Sequence, residues 1–142
     1  AMALQMKATM QDLEESELCY APQFGSAKDP INFVGMVAGD VRNGDMPLAH
    51  WGETNGAFLL DVREPVELVI ESVPGAVNIP LPQLRARLGE LPKDREILTI
   101  CRSGGRAYYA TRILLQNGFK ARDLSGGMLS RALIEAKRGA AK

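Results

Sequence analysis

The sequence predicts an α/β fold from residue 44 onward, built on a parallel sheet with crossover helices. Two short apolar runs, AFLLD at 57–61 and EILTI at 96–100, have the length and composition of buried parallel strands. A segment with helical spacing follows each run, and strands that alternate with helices form parallel sheets through crossover connections. The chain has 142 residues, of which 46% are hydrophobic and 24% charged, as is typical of about one globular domain.

The remaining elements follow from the same alternation of strand-like and helix-like segments. The predicted strands are 57–61, 76–79, 96–100 and 121–124. The predicted helices are 64–69, 82–88, 105–116 and 127–137. Gly89 is expected to end the second of these helices, and Asn117-Gly118 is expected to cap the third.

The first 43 residues differ in character from the rest, so we predict a separate segment over 1–43 and a domain over 44–142. Asp29 is a natural helix N-cap, and Pro30 suits the first helical position. Asn43-Gly44 is a typical helix end. The sequence therefore predicts a helix over 30–43 that connects the two parts.

Charge and cysteine content narrow the class of protein. Lysine plus arginine and aspartate plus glutamate both count 17, which argues against a general binder of nucleic acid or anionic membrane. The chain has no apolar run of the roughly 20 residues that a membrane span needs, and its start lacks the apolar segment of a signal peptide. Two cysteines, Cys19 and Cys101, make neither a disulfide framework nor a zinc site. We expect a reduced, cytoplasmic protein without a metal.

The stretch CRSGGRAYYATR at 101–112 carries the chemistry. Cys101 ends a predicted strand, and sites in open α/β sheets form at the carboxyl ends of strands. The following Ser-Gly-Gly lets backbone N–H groups turn inward, and the next helix adds the positive end of its dipole. Two flanking arginines add positive charge, so the loop favours a thiolate and an anion bound above it. The alternative is a buried, unreactive cysteine at the end of a core strand.

The length of the loop favours a sulfur atom over a phosphate group as the species that it binds. Four residues separate Cys101 from Arg106, whereas cysteine phosphatases place five residues between cysteine and arginine. The shorter loop suits a single sulfur atom, so we expect a persulfide on Cys101. Two alternatives stay open, namely a phosphatase or arsenate reductase, and a non-catalytic interaction module.

Four motifs, in this order, resemble the rhodanese (sulfurtransferase) domain over about residues 46–138. They are LLDVREPVEL, VPGAVNIPL, CRSGGRAYYATRILLQNGF and DLSGGM. The resemblance implies a five-stranded parallel sheet flanked by helices, with Cys101 as the nucleophile that carries sulfur. It assigns the active-site loop to Arg102, Ser103, Gly104, Gly105 and Arg106.

The stretch YAPQFGSAKDPIN resembles the end of the dimerisation domain of flavin-dependent pyridine-nucleotide disulfide oxidoreductases, specifically coenzyme A-disulfide reductases. Some of these carry a C-terminal rhodanese domain. The resemblance implies that residues 1–43 are the remnant of an upstream reductase domain plus a connecting helix, and that the chain can form a homodimer. FAD and NAD(P)H are expected only upstream, since this chain contains no GxGxxG sequence. The expected partners are small sulfur donors, thiol acceptors and the reductase in the same chain.

Three departures from the rhodanese pattern stand near the motifs. Ala107 replaces a usual serine, ESVPGA lacks the usual Gly-His, and Arg131 stands where tryptophan is common. We interpret them as changes in the rim and in helix packing. They bear on turnover and substrate choice, and not on the nucleophile.

Other polar residues carry weaker predictions. Asp61 and Arg63, at a strand end, either orient the loop or form a structural ion pair, and we favour the ion pair. Arg102 is a candidate for contact with an anionic substrate. Arg106 serves the loop or the substrate, or pairs with an acidic residue such as Glu64 or Glu71.

The remaining cysteine and the only histidine are assigned no catalytic role. Cys19 is interpreted as a structural or incidental thiol, with a resolving cysteine as the alternative. His50 is expected to cap or pack near a helix start, with a catalytic Cys–His pair as the alternative.

Overall fold

The computed structural model describes the backbone of residues 2–18, 23–25 and 28–140, with side chains up to residue 134. The chain divides into two compact units, Ala1–Asp45 and Met46–Lys142. None of the helices in the described ranges combines the length and the apolar character that crossing a membrane requires.

The first unit contains helices α1 (Met2–Gln5), α2 (Met10–Glu14) and α3 (Pro30–Asn43). The bounds of α3 are those predicted, and Gly44 ends it with a φ of 79°. The Asn32 side-chain amide donates to the carbonyls of Leu13, Glu14 and Ser16 at 3.3, 3.0 and 2.8 Å, which satisfies carbonyls that α2 leaves open at its end. The predicted N-terminal helical extension is therefore present.

The second unit is a five-stranded sheet, in which each strand pairs in parallel with its neighbours. The strands are β1 (Leu48–Ala49), β2 (Phe58–Asp61), β3 (Val77–Asn78), β4 (Ile97–Ile100) and β5 (Ala121–Leu124). Their order across the sheet is β1-β5-β4-β2-β3, and all four pairings are parallel. This confirms the predicted fold class.

Helices complete the second unit. They are α4 (Pro65–Ile70), α5 (Leu81–Leu84), α6 (Gly105–Gln116) and α7 (Gly127–Ala140), with 3₁₀ turns at Trp51–Glu53 and Leu88–Glu90. Strand β4 is buried on both faces, as a continuous apolar run requires. Ile97 packs with Ala110 and Leu114 of α6, whereas Leu98 and Ile100 pack in a second cluster with Met128 of α7.

Two predictions for this unit are wrong or incomplete. The helix predicted over 82–88 ends at Leu84, because the next bonds are tighter 3₁₀-type bonds, from the Arg87 N–H to the Leu84 carbonyl and from the Leu91 N–H to the Leu88 carbonyl. Gly89 lies inside a 3₁₀ turn and does not end a helix. Strand β1 was not predicted, because two residues carry no periodic pattern, and the strand exists through its pairing with β5.

Candidate active site

Cys101 lies directly after β4 and only 1% of its surface is exposed. The Gly104 N–H donates to its Sγ at a distance of 3.1 Å. Gly104 has a φ of 114°, a value that side-chain-bearing residues rarely adopt, so a glycine is required to aim this N–H at the sulfur. Because α6 begins at the next residue, the sulfur also lies near the positive end of that helix. Both the Gly104 N–H and the helix end therefore place a positive partial charge beside the sulfur.

Buried hydroxyl groups join the strand before Cys101 to the helix after it. Thr99 and Thr111 share a hydrogen bond of 2.7 Å between their Oγ1 atoms, and the Thr99 hydroxyl donates to the Ala107 carbonyl at 3.2 Å. Both threonines are fully buried. Since a buried hydrogen bond is costly to leave unmade, β4 and α6 are held in one register at the base of the loop.

The start of α7 holds the loop from another side. The Met128 N–H donates to the Cys101 carbonyl at 3.0 Å, and the Leu129 N–H donates to the Arg102 carbonyl at 3.1 Å. Gly127 permits this approach, because a Cβ there would lie 2.3 Å from the Cys101 carbonyl oxygen. The second glycine of DLSGGM is thus a packing requirement of the cysteine loop.

Arg106, the last residue of the predicted loop, forms a two-pronged ion pair with Glu67 of α4. Its Nη1 and Nη2 donate to Glu67 Oε2 and Oε1 at 2.6 and 2.8 Å. These bonds lower the pKa of Glu67 to about 2, and the pKa of Arg106 is raised, chiefly by Glu67. The acidic partner of Arg106 is therefore Glu67, and the predicted pairing with Glu64 or Glu71 is wrong. Glu67 stands three residues after Glu64, and its carboxylate faces the same helix end. This spacing is the sequence signal that was missed.

Asp61 and Arg63 form a buried ion pair next to the end of β2. The Arg63 Nε donates to both Asp61 oxygens at 3.0 Å, its Nη2 donates to Asp61 Oδ2 at 2.6 Å, and the same Nη2 donates to the Glu71 carbonyl at 2.9 Å. Asp61 raises the pKa of Arg63 through these bonds. The Asn78 amide donates to both backbone carbonyls of the pair at 2.9 Å. The pair thus ties β2 to β3 and to the segment after α4.

The remaining predicted residues lie as follows. Arg102, Ser103 and Gly105 are exposed, and Gly104 is partly buried. His50 is exposed, and its backbone N–H donates to Glu53 Oε1 at 3.1 Å at the start of a 3₁₀ turn. The prediction for Cys19 lies outside the described residues. Within the described ranges, no group of three or more histidine, cysteine, aspartate or glutamate side chains is arranged to hold a metal.

The position that is often tryptophan in rhodaneses is occupied by Arg131, and a tryptophan from elsewhere packs beside it. The Arg131 guanidinium lies 5.7 Å from the centre of the Trp51 ring and donates to the Ser72 carbonyl at 3.1 Å. The Trp51 ring N–H donates to the Gly127 carbonyl at 3.0 Å. Trp51 therefore supports the glycine turn that holds the cysteine loop.

Asp123 is a second residue that sequence reasoning missed. It lies on β5 opposite Thr99, is 4% exposed, and its Oδ1 has no hydrogen-bond partner among the described residues. Burial raises its pKa to about 7. An aspartate inside the predicted strand 121–124 was the available signal, since buried carboxylates are rare without a partner.

A parallel sheet with a cysteine loop at the end of its central strand, closed by an arginine and seated on a helix N-terminus, defines a class of cysteine-based transferases and hydrolases. The family model described as "Rhodanese-like domain" matches residues 48–130. The chain belongs to this family, which confirms the resemblance seen in the sequence.

Relatives with curated descriptions support the enzyme class. A sulfurtransferase of Allochromatium vinosum is 36% identical over 79 residues, covering 55% of this chain and 74% of the relative. A putative sulfurtransferase of Bacillus subtilis is 37% identical over 73 residues, covering 51% of this chain and 71% of the relative. Together with the family, these relatives confirm the prediction of a rhodanese-like sulfurtransferase.

Two solved structures match almost the whole chain. The reduced CoADR-RHD of Bacillus anthracis has a TM-score of 0.83 and 42% identity, and an NAD-dependent persulfide reductase of A. fulgidus has a TM-score of 0.78 and 36% identity. Each match covers 89% of this chain, which is more than residues 46–142 can supply, so it extends into the first unit. The chain spans only 24% and 23% of those two proteins. These two structural matches agree with the resemblance to a reductase–rhodanese fusion that the sequence indicated.

Proposed function

We propose that this chain carries sulfane sulfur as a persulfide on Cys101 and passes it to a thiol acceptor. The observation that carries the proposal is the Gly104 N–H directed at Cys101 Sγ at 3.1 Å, at the start of α6. A thiolate there attacks the sulfane sulfur of the donor, the donor's bond to that sulfur breaks, and the leaving group departs with the electron pair. The N–H and the helix end then stabilise the negative terminal sulfur.

The proposed donors are thiosulfate, polysulfide and low-molecular-weight persulfides. In the second step the acceptor thiolate attacks the outer sulfur, and Cys101 leaves as the thiolate, so the enzyme is regenerated without an external oxidant or reductant. In this proposal Arg102 and Ser103 meet the incoming donor, and their exposure on the loop supports that role.

We also propose that the sulfur passes between Cys101 and a reductase centre in the same chain. Residues 1–43 would be the remnant of its dimerisation domain, and a homodimer would follow from that origin. The likeness to CoADR-RHD and to a persulfide reductase supports this coupling. FAD and NAD(P)H would bind upstream, because this chain has no GxGxxG sequence to hold a dinucleotide. A cytoplasmic location suits a free thiolate.

The two alternatives have less support. A phosphatase or arsenate reductase needs its loop arginine for the oxyanion, whereas Arg106 is engaged by Glu67. A non-catalytic interaction module does not need a nucleophile, whereas this chain keeps Cys101 at the strand end.

Mass spectrometry tests the proposal. The protein is mixed with thiosulfate or with glutathione persulfide, and intact and peptide masses are recorded. We expect a gain of one sulfur atom on the peptide that contains Cys101, lost in Cys101→Ser and kept in the matched Cys19→Ser variant. A folded protein with a titratable Cys101 thiol that gains no sulfur from either donor would contradict the carrier role.

A further inference from the structure

The two loop arginines differ in how much positive charge they offer to a donor. Arg106 is bound through both terminal nitrogens to Glu67. Arg102 is exposed, and the described part of the chain shows no ion pair for its side chain. The loop sequence contains two guanidinium groups, and the charge of one of them, that of Arg106, is compensated by Glu67. About one positive charge, that of Arg102, therefore remains to act on a donor.

Glu67 is held in this position independently of Arg106. Its Oε2 also accepts a hydrogen bond from the Glu64 N–H at 3.0 Å, which caps the start of α4. The side chains of Arg106 and Glu67 are 35% and 28% exposed, so the pair is partly shielded from water. With its pKa lowered to about 2, Glu67 is ionised throughout the neutral pH range.

Arg106 lies in the first turn of α6, two residues after Gly104, whose N–H donates to Cys101 Sγ at 3.1 Å, so the charge of Arg106 acts close to the reacting sulfur. After the bonds from Glu67, negative charge at Cys101 contributes to the raised pKa of Arg106. Glu67 thus cancels a positive charge that would otherwise act on whatever binds at Cys101. The cancellation matters most for a donor whose own negative charges lie beside the sulfur to be transferred, because Coulomb energies fall with distance.

We propose that Glu67 is a specificity-determining residue, which neutralises Arg106 and thereby disfavours dianionic donors relative to donors with one negative charge beside the sulfane sulfur. The proposal rests on the sulfur-carrier role of Cys101. The favoured substrate class is the singly charged thiosulfonate or an organic persulfide whose other charges are remote from the sulfur. Thiosulfate, a compact dianion, is the disfavoured member.

Two probes isolate this charge effect, because they share the transferred atom and differ by one charge. Thiosulfate transfers its outer sulfur to the Cys101 thiolate and releases sulfite, as the S–S bond breaks with the electron pair on the leaving sulfur. Methanethiosulfonate undergoes the same exchange and releases methanesulfinate. Both reactions leave a deprotonated persulfide on Cys101 and need no oxidant or reductant.

The experiment compares the second-order rates at which the two probes load sulfur onto Cys101. In Glu67→Gln we expect the thiosulfate rate to rise about tenfold relative to the methanethiosulfonate rate, and the gain to shrink at high ionic strength. Glu71→Gln is the matched control, since Glu71 is exposed, lies just after α4, and the change removes the same charge. Its rate ratio should equal that of the wild type.

A double variant distinguishes freed charge from altered loop shape. Glu67→Gln with Arg106→Gln removes both charges, so its rate ratio should return to the wild-type value. Because α4 buries none of its residues, Glu67→Gln is expected to fold. Glu67→Ala removes the same charge and provides a second measurement.

The outcomes separate this proposal from the carrier role. A rate ratio unchanged in both folded Glu67 variants, with sulfur still loaded on Cys101, would overturn the role of Glu67 alone. An equal rise in Glu71→Gln would also overturn it. Failure of every variant and of the wild type to load sulfur from either probe would overturn the carrier role and this inference together.

Discussion

Replacing Gly127 by alanine tests how the cysteine loop is held. An added Cβ would lie 2.3 Å from the Cys101 carbonyl oxygen and 2.9 Å from that of Arg102. Both atoms are backbone, so no side-chain rotation relieves the contact. The start of α7 must move away from the loop, and the Met128 and Leu129 N–H bonds to those carbonyls, at 3.0 and 3.1 Å, are lost or stretched.

The size of the effect can be worked from two contributions. Gly127 has a φ of 53°, and a residue with a Cβ costs about 1 kcal/mol there. Two hydrogen bonds add about 1 kcal/mol each. We expect Gly127→Ala to lower the free energy of unfolding by about 3 kcal/mol. Displacing the loop should slow sulfur loading by about 100-fold, because reacting groups misplaced by about 1 Å lose that much rate.

Gly118→Ala is the matched control, because Gly118 has a φ of 77° and open space around its ideal Cβ position. It should cost only about 1 kcal/mol and leave sulfur loading unchanged. Urea unfolding followed by the fluorescence of Trp51, the only tryptophan, measures the second unit. Equal losses of stability in the two variants, with equal loading rates, would show that contact with Gly127 does not hold the loop.

Two further predictions concern buried charge in the same unit. Since burial raises the pKa of Asp123 from 3.8 to about 7, the folded state keeps a proton that the unfolded state loses, and stability falls as pH rises from about 4 to 7. Asp123→Asn should remove this dependence and raise the free energy of unfolding by on the order of 4 kcal/mol at pH 8; parallel stability–pH curves for the variant and the wild type would contradict this. Arg63→Met should cost about 3–5 kcal/mol in urea unfolding, because it leaves the Asp61 carboxylate buried and unpaired. Adding Asp61→Leu should recover part of that loss, and a double variant no more stable than Arg63→Met would refute the unpaired-charge explanation.

Local signals account for what could be predicted from the sequence. The apolar side chains of β2 and β4 pack in the two core clusters, and such apolar runs are visible without a structure. The bounds of α3 follow from Asp29 and Gly44, which act on their immediate neighbours. The cysteine loop is contiguous in the chain, so its strand end, its glycines and its helix start could all be recognised together.

Features that depend on distant segments were missed. Strand β1 is defined by its partner on β5, more than 70 residues away, and its two residues carry no pattern of their own. Glu67 was overlooked because its partner lies on another helix and three acidic residues compete for the pairing. Contact between α7 and the loop is likewise a tertiary property, since DLSGGM gives no indication of which carbonyls its amides will bind.

The sheet order has a consequence for how the protein is made. Among the described strands, β1 leaves the ribosome first, yet it pairs with β5, the last of them to be synthesised. The nascent chain can pair β2 with β4 early, but it cannot complete the sheet until residue 124 has emerged. The amides of α7 emerge later still, so Cys101 acquires its final surroundings only as synthesis of this unit ends. The sulfur site is therefore among the last parts of this unit to mature.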